Sequence, residues 1–223
     1  MPAELSIVLW DATLQTLSMV AGAAVISTIL GFPLGVVLAT SAKGGLFAAP
    51  SLNRLLSIPV NLACAIPFIV LALALFPLVH LVTGTSAGTL EGIAILTVAA
   101  APFIAKSIES AIREVDRGLV EESLAMGATR LQIVRKVLLP EAKPSILPGF
   151  TVALVSLIGN AIIAGAVGGG GLGALGIRFG YERFSPEIMA AALIITIALV
   201  QTIQILGERL ARRGKPNRGH AIA

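Results

Sequence analysis

Cysteine is nearly absent from this chain. Cys64 stands alone inside an apolar run, so no intrachain disulfide can form. One thiol without a nearby histidine is no metal site, and Cys64 reads as a small buried hydrophobe. Aromatics are scarce, at 4%, and no basic stripe carries stacking partners. That argues against a nucleic-acid partner, despite a net charge of +4 and a pI near 9.7. Charged residues make up only 13% of the 223 residues, about half the share of an average soluble domain. None falls near the centre of a long apolar run, where proton- and ion-coupled transporters usually carry such groups. The runs hold no Ser-Lys or Ser-His pair at depth, and HExxH does not occur, so nothing supports an intramembrane protease. The phosphate loop G-x-x-x-x-G-K-[ST] is missing too, so the chain cannot hydrolyse ATP by that route. The opening "MPAELSIVLWDATLQ" has acids and no basic n-region. It is expected not to be a cleaved signal peptide.

What is present is apolar. Hydrophobic residues reach 56% and mean hydropathy is +0.94. No soluble core needs that much apolar surface, so lipid is the solvent for most of the chain. Four charge-free runs, Ala12–Ala42, Leu55–Leu90, Pro144–Ile177 and Ile188–Gly207, can each hold a membrane-crossing helix of about 20 residues. A fifth run, Gly92–Ala105, is short. It spans only if its helix starts near Ser86 or continues past Lys106, which can snorkel. Parity favours it. With the N-terminus outside and five spans, every Lys and Arg except Arg178 and Arg183 falls on the inside. The positive-inside bias therefore predicts an all-α polytopic membrane protein with five helices, N-out and C-in. It is a single domain over 1–223, with an inner loop at about 113–143.

Several features bear on what the spans do. Pro33, Pro59, Pro67, Pro77 and Pro102 lie in or near them, and each removes a backbone donor. That is tolerable in lipid where a neighbouring helix or wet cavity satisfies the freed carbonyls. "GFPLG" (Gly31–Gly35) permits close helix contact. Asn61, Ser156 and Asn160, with Pro67, are the candidates to face a transport path. For each polar one taken singly, an interhelical hydrogen bond is the better reading. Trp10 fits an interfacial anchor, and His80 is expected at the outer interface. Gly171, Gly173 and Gly176 satisfy G-x-G-x-x-G, but no strand precedes them. A flexible turn at the outer end of the fourth span is the better reading.

The inner loop holds the most structured polar stretch, "EESLAMGATRLQIVRKVLLP" (Glu121–Pro140). Val120 and Leu124 give a short helix one apolar stripe. Glu121 is expected in its first turn, where the helix dipole favours a carboxylate. Gly127 suits the left-handed residue that stops such a helix. Thr129 and Gln132 have capping-box spacing and start a second helix. Leu131, Val134 and Leu138 form its stripe, and Pro140 is expected to end it. Local chemistry thus gives an elbow on the inner face; a loop lying on the headgroups is the plainer alternative.

Glu121-Glu122-Ser123, then Gly127, then Val137-Leu138-Leu139-Pro140, resembles the "EAA" signature of ABC importer permeases: E-A-A, three residues, G, nine residues, I-x-L-P. The spacing is complete. The departures are Glu122 and Ser123 in the alanine places and Val137 for isoleucine. "TLQTLSMVAG", "GFPLGVVLA", "IPFIVLALAL", "AAAPFIAKSIESAI", "AMGATRLQIVRKVLLPEA" and "GAVGGGGLGALG" extend the resemblance along almost the whole chain, most like the methionine-importer subfamily. The resemblance implies a type I permease that takes up methionine by alternating access, with both enantiomers open. It implies a homodimer in the bacterial inner membrane, two cytoplasmic ATPases that bind the ATP and Mg, and a periplasmic or lipid-anchored binding protein. The chain itself then carries no cofactor and is no enzyme. The coupling residues implied are Glu121, Glu122, Ser123, Met126, Gly127, Ala128, Thr129 and Pro140, with Glu121 near a basic pocket of the ATPase. Gly168, Gly169, Gly170, Gly171 and Gly173 become a periplasmic gate or binding-protein contact. A permease of the same class for another amino acid or a quaternary amine is the alternative. A non-transporting membrane scaffold is the distant one.

Overall fold

The computed structural model describes residues 2–83 and 88–214, and every regular element among them is helical. Four helices are long and apolar enough to cross a membrane, or five if one bent pair counts as a span.

The first run forms α1, Pro2–Ser41. Its hydroxyls turn back on their own helix: Thr13 donates to the Leu9 carbonyl at 2.7 Å, Ser27 to Ala23 and Thr28 to Ala24. This satisfies polar groups that lipid cannot. The C-terminal half of α1 approaches α4, Thr89–Arg113, through Gly31 and Gly35. A Cβ on Gly31 would stand 2.6 Å from the Ala101 carbonyl oxygen, and one on Gly35 2.5 Å from that of Ala105. The two glycines therefore let the two backbones come close together here.

The short fifth run is embedded in α4, which continues past Lys106. Glu109 holds both Lys106 (3.1 Å) and Arg113 (2.6 Å). Ser86 lies outside the described residues. Far from being marginal, α4 is the central helix. Over half of its apolar window is buried, against a third or less for the other three long helices. Its faces carry Leu96 and Ala100 into one core with Met19 and Leu157, and Ile108 and Ile112 into another with Ile133 and Leu138.

The run Leu55–Leu90 does not hold one straight helix, contrary to expectation. It splits into α2, Pro50–Ala65, and α3, Phe68–Thr83, bent by 106°. Ile66 is extended (φ −75°, ψ 126°), as the residue before a proline must be, and Pro67 has no donor to continue α2. Asn53 ties the start of α2 to the end of α1, donating to the Leu38 carbonyl at 2.7 Å and to Ser41 Oγ at 3.1 Å.

After α4 come α5, Arg117–Ala125, and α6, Arg130–Ile133. A widened π turn, Val134–Leu138, then leads directly into α7, Leu139–Ala164. Pro140 therefore does not end the second elbow helix. A proline ring clashes with the carbonyl four residues back; here the widened turn sits at that carbonyl, Lys136, and absorbs the missing bond. The helix resumes at Arg130, within the expected inner loop, and runs on unbroken through the π turn into α7. A second π turn, Gly165–Gly169, and the short α8, Gly171–Leu175, precede α9, Pro186–Gly214.

Candidate coupling elbow and translocation site

Asp116 starts the elbow. Its carboxylate accepts from the Gly118 N–H at 2.9 Å, capping α5. Because α5 begins at Arg117, Glu121 stands in the second turn, not the first, and the helix-dipole argument for it lapses. At the other end the Gly127 N–H donates to Leu124 O and the Ala128 N–H to Ser123 O, both at 3.0 Å. This is a Schellman stop, and it needs a left-handed residue. Gly127 supplies it, with φ +81°. Thr129 then opens α6 with a complete capping box. Gln132 Oε1 accepts from the Thr129 N–H at 2.8 Å and Thr129 Oγ1 from the Gln132 N–H. Ser123 is buried and returns its hydroxyl to Leu119 O. Ala128 and Val120 pack on the core beneath. The elbow is thus a folded corner, and its tip projects Met126, 82% exposed. Glu122 is exposed. Glu121 lines a cleft between the elbow and the residues after α1.

A second hollow of about 230 Å³ lies between the α2–α3 break, α4 and α7. Ile66 and Phe68 flank it at the break; Ala100 and Phe103 come from α4. Ser156 and Asn160, one helical turn apart on α7, supply the polar groups; Cys64, exposed within the chain and not the buried hydrophobe expected, adds a thiol. Asn61 is exposed and does not line it. Pro67 contributes by making the break.

Residues 31–215 match the family described as binding-protein-dependent transport system inner membrane component. The chain belongs to that family. The probable D-methionine transport system permease protein MetI of Vibrio cholerae serotype O1 is 50% identical over 205 residues, 92% of this chain and 91% of that protein. The protein of the same description from Pasteurella multocida is 40% identical over 202 residues, 91% and 93% of the two chains. A chain from an inward-facing structure of the MetNI methionine ABC transporter superposes with a TM-score of 0.93 at 39% identity, covering 97% of this chain and all of that one.

In this inner-membrane component the predicted glycine turn is not a loose loop. Gly168, Gly170 and Gly171 take φ of +129°, +87° and +70°, and Gly169, Gly171 and Gly173 are buried. A Cβ on Gly168 would collide with the Phe76 ring, one on Gly171 with Thr16 Oγ1, and one on Gly173 with the Ile162 carbonyl. Two side chains of α1 cap the start of α8. Gln15 Oε1 accepts from the Gly171 N–H and Thr16 Oγ1 from the Leu172 N–H, both at 2.9 Å. Sequence reasoning missed this pair, because 156 residues separate each donor from its acceptor. It also passed over Glu91. That carboxylate is fully buried at the start of α4 and stands 3.0 Å from His80 Nδ1. His80 itself is half exposed.

Proposed function

We infer that this chain is the permease subunit of an ATP-driven ABC importer for methionine. The observation that carries the reading is likeness over the full length. Nine-tenths of the chain aligns with relatives named for methionine transport, and the family match over residues 31–215 takes in the elbow, the break and the glycine turn. In this reading the protein crosses the membrane five times, N-out and C-in, with α2 and α3 forming one broken span. Two copies make the pathway. Much of α9 and α3 is apolar and uncovered within one chain, with Leu81, Val82 and Ile194 well exposed, so lipid and the second copy are their natural neighbours.

The elbow docks on a separate cytoplasmic ATPase, which binds the ATP and Mg. Met126 at its tip enters the partner, and the Schellman stop and capping box hold the corner stiff enough to transmit a push. That push rocks the helices between inward- and outward-facing states. The hollow at Ser156 and Asn160 lies on the path. At about 230 Å³ it falls below the usual range of preformed small-molecule sites, about 300–1,000 Å³. It suits passage more than capture, leaving selection to an external binding protein. The outer glycine turn closes the periplasmic side.

Reconstitution into liposomes with the ATPase and binding protein tests the whole reading. ATP-dependent uptake of labelled methionine is expected, resistant to competition by a quaternary amine. Uptake of another solute in preference to methionine would move the substrate assignment. No uptake of any solute, with the complex assembled, would leave a scaffold.

A further inference from the structure

The cleft behind the elbow has a volume of about 520 Å³. Four cations line it: Lys43 from the segment after α1, Arg113 from the end of α4, Arg117 from α5 and Arg130 from α6. Glu121 is the one carboxylate in its lining. Arg113 is held by Glu109. Among the described residues, no carboxylate lies within ion-pairing distance of Lys43, Arg117 or Arg130. The segment after α1 and the elbow therefore bring three exposed cations without an ion-pair partner to one hollow against a single carboxylate, a concentration of positive charge that attracts an anion. The remaining wall is apolar, with Leu46, Ile112 and Val120. The cleft sits where α1 and α4 end, at Ser41 and Arg113.

We propose that this cleft binds the phosphate headgroup of an anionic membrane lipid. A free phosphate would satisfy the charges but has no use for the apolar wall. A glycerophospholipid meets both, with its phosphodiester among the cations and its glycerol and upper chain against Leu46, Ile112 and Val120. The ends of spanning helices are at the depth where such phosphates lie, and basic hollows between helices there attract them. A bound lipid would bridge Lys43 to Arg117 and Arg130, tying the segment after α1 to the elbow. The proposal uses the proposed orientation only to say which leaflet supplies the lipid, so its failure leaves the transport reading untouched.

Native mass spectrometry of the full-length chain, purified in neutral detergent, tests this. The probes are phosphatidylglycerol, phosphatidylcholine and inorganic phosphate. One phosphatidylglycerol per chain is expected to persist under activation that strips phosphatidylcholine. Lys43→Gln/Arg117→Gln/Arg130→Gln should weaken retention about a hundredfold at low salt. Arg135→Gln/Lys136→Gln/Lys143→Gln removes equal charge outside the cleft and should change it less than about twofold. Glu121→Gln, which removes the opposing charge, should strengthen it. The wild-type chain supplies a test that needs no variant: retention should fall steeply with ammonium acetate concentration. Equal retention of the two lipids, equal loss in both triple variants, indifference to salt, or displacement by inorganic phosphate at matched concentration would each overturn the proposal.

Discussion

Gly127→Ala separates the conformation of the elbow from its contacts. The residue sits at φ +81° and a Cβ there meets nothing within 4 Å, so the substitution creates no clash inside the chain. Its cost is the left-handed backbone alone, about 1–2 kcal/mol for an L-residue. If only the native corner fits the ATPase, that cost appears as a fall in ATPase affinity of about 5- to 30-fold. Gly127→Asn tolerates the same backbone better and should lose less, although its side chain is larger. Gly127→Pro should lose most. Its φ is fixed near −65°, and the Gly127 N–H bond to Leu124 O disappears. The spans are untouched, so all three variants should insert and purify. Retention of the ATPase on immobilised permease, across a dilution series, gives the order. The conformational argument requires wild type, Asn, Ala, Pro. If Gly127→Asn binds worse than Gly127→Ala, side-chain size at the docking surface decides, and the reasoning from backbone strain is wrong.

The remaining predictions concern other parts of the molecule. Met126→Asp places a charge at the exposed tip and should abolish co-purification of the ATPase, whereas Glu122→Gln should leave it intact; the reverse result would shift the docking surface along α5. In a Cys64→Ser background, cysteines at Glu4 and Glu182 should react with an impermeant maleimide in intact cells and a cysteine at Lys215 should not; labelling at 215 would refute the five-span topology. Gln15→Leu with Thr16→Val strands two N–H groups of the clasp between α1 and α8, at about 1–3 kcal/mol each. Thermal unfolding in detergent should come several degrees earlier, and protease should cut near Gly170 sooner; an unchanged melting curve would mean that the two hydrogen bonds do not stabilise the fold.

How much of this was legible in one sequence depends on the range of the forces. The spanning runs were readable because transfer into lipid depends on composition over about 20 residues. The Gly127 stop and the Thr129–Gln132 capping box were readable, since both are satisfied by neighbours a few positions away, although Glu121 falls one turn later than expected. Pro140 misleads because a proline's local veto on the helix says nothing of the π turn that accommodates it. The Leu55–Leu90 run misleads because hydropathy is blind to direction; Pro67 announces a break, but packing of α3 against α4 and α7 selects the 106° bend. The glycine turn looks flexible for the same reason. Glycine marks both freedom and close approach, and only the neighbours, here Phe76, Thr16 and the Ile162 carbonyl, decide which. Sequence by itself therefore determined the solvent, the apolar runs and the stop-and-cap of the corner, all set within one helix or one turn. The tertiary structure alone decided the Gln15–Gly171 clasp, the burial of Glu91 against His80 and the cationic cleft. Each of these needs groups remote in the chain to meet, and such meetings are fixed by how helices pack, which no local pattern encodes.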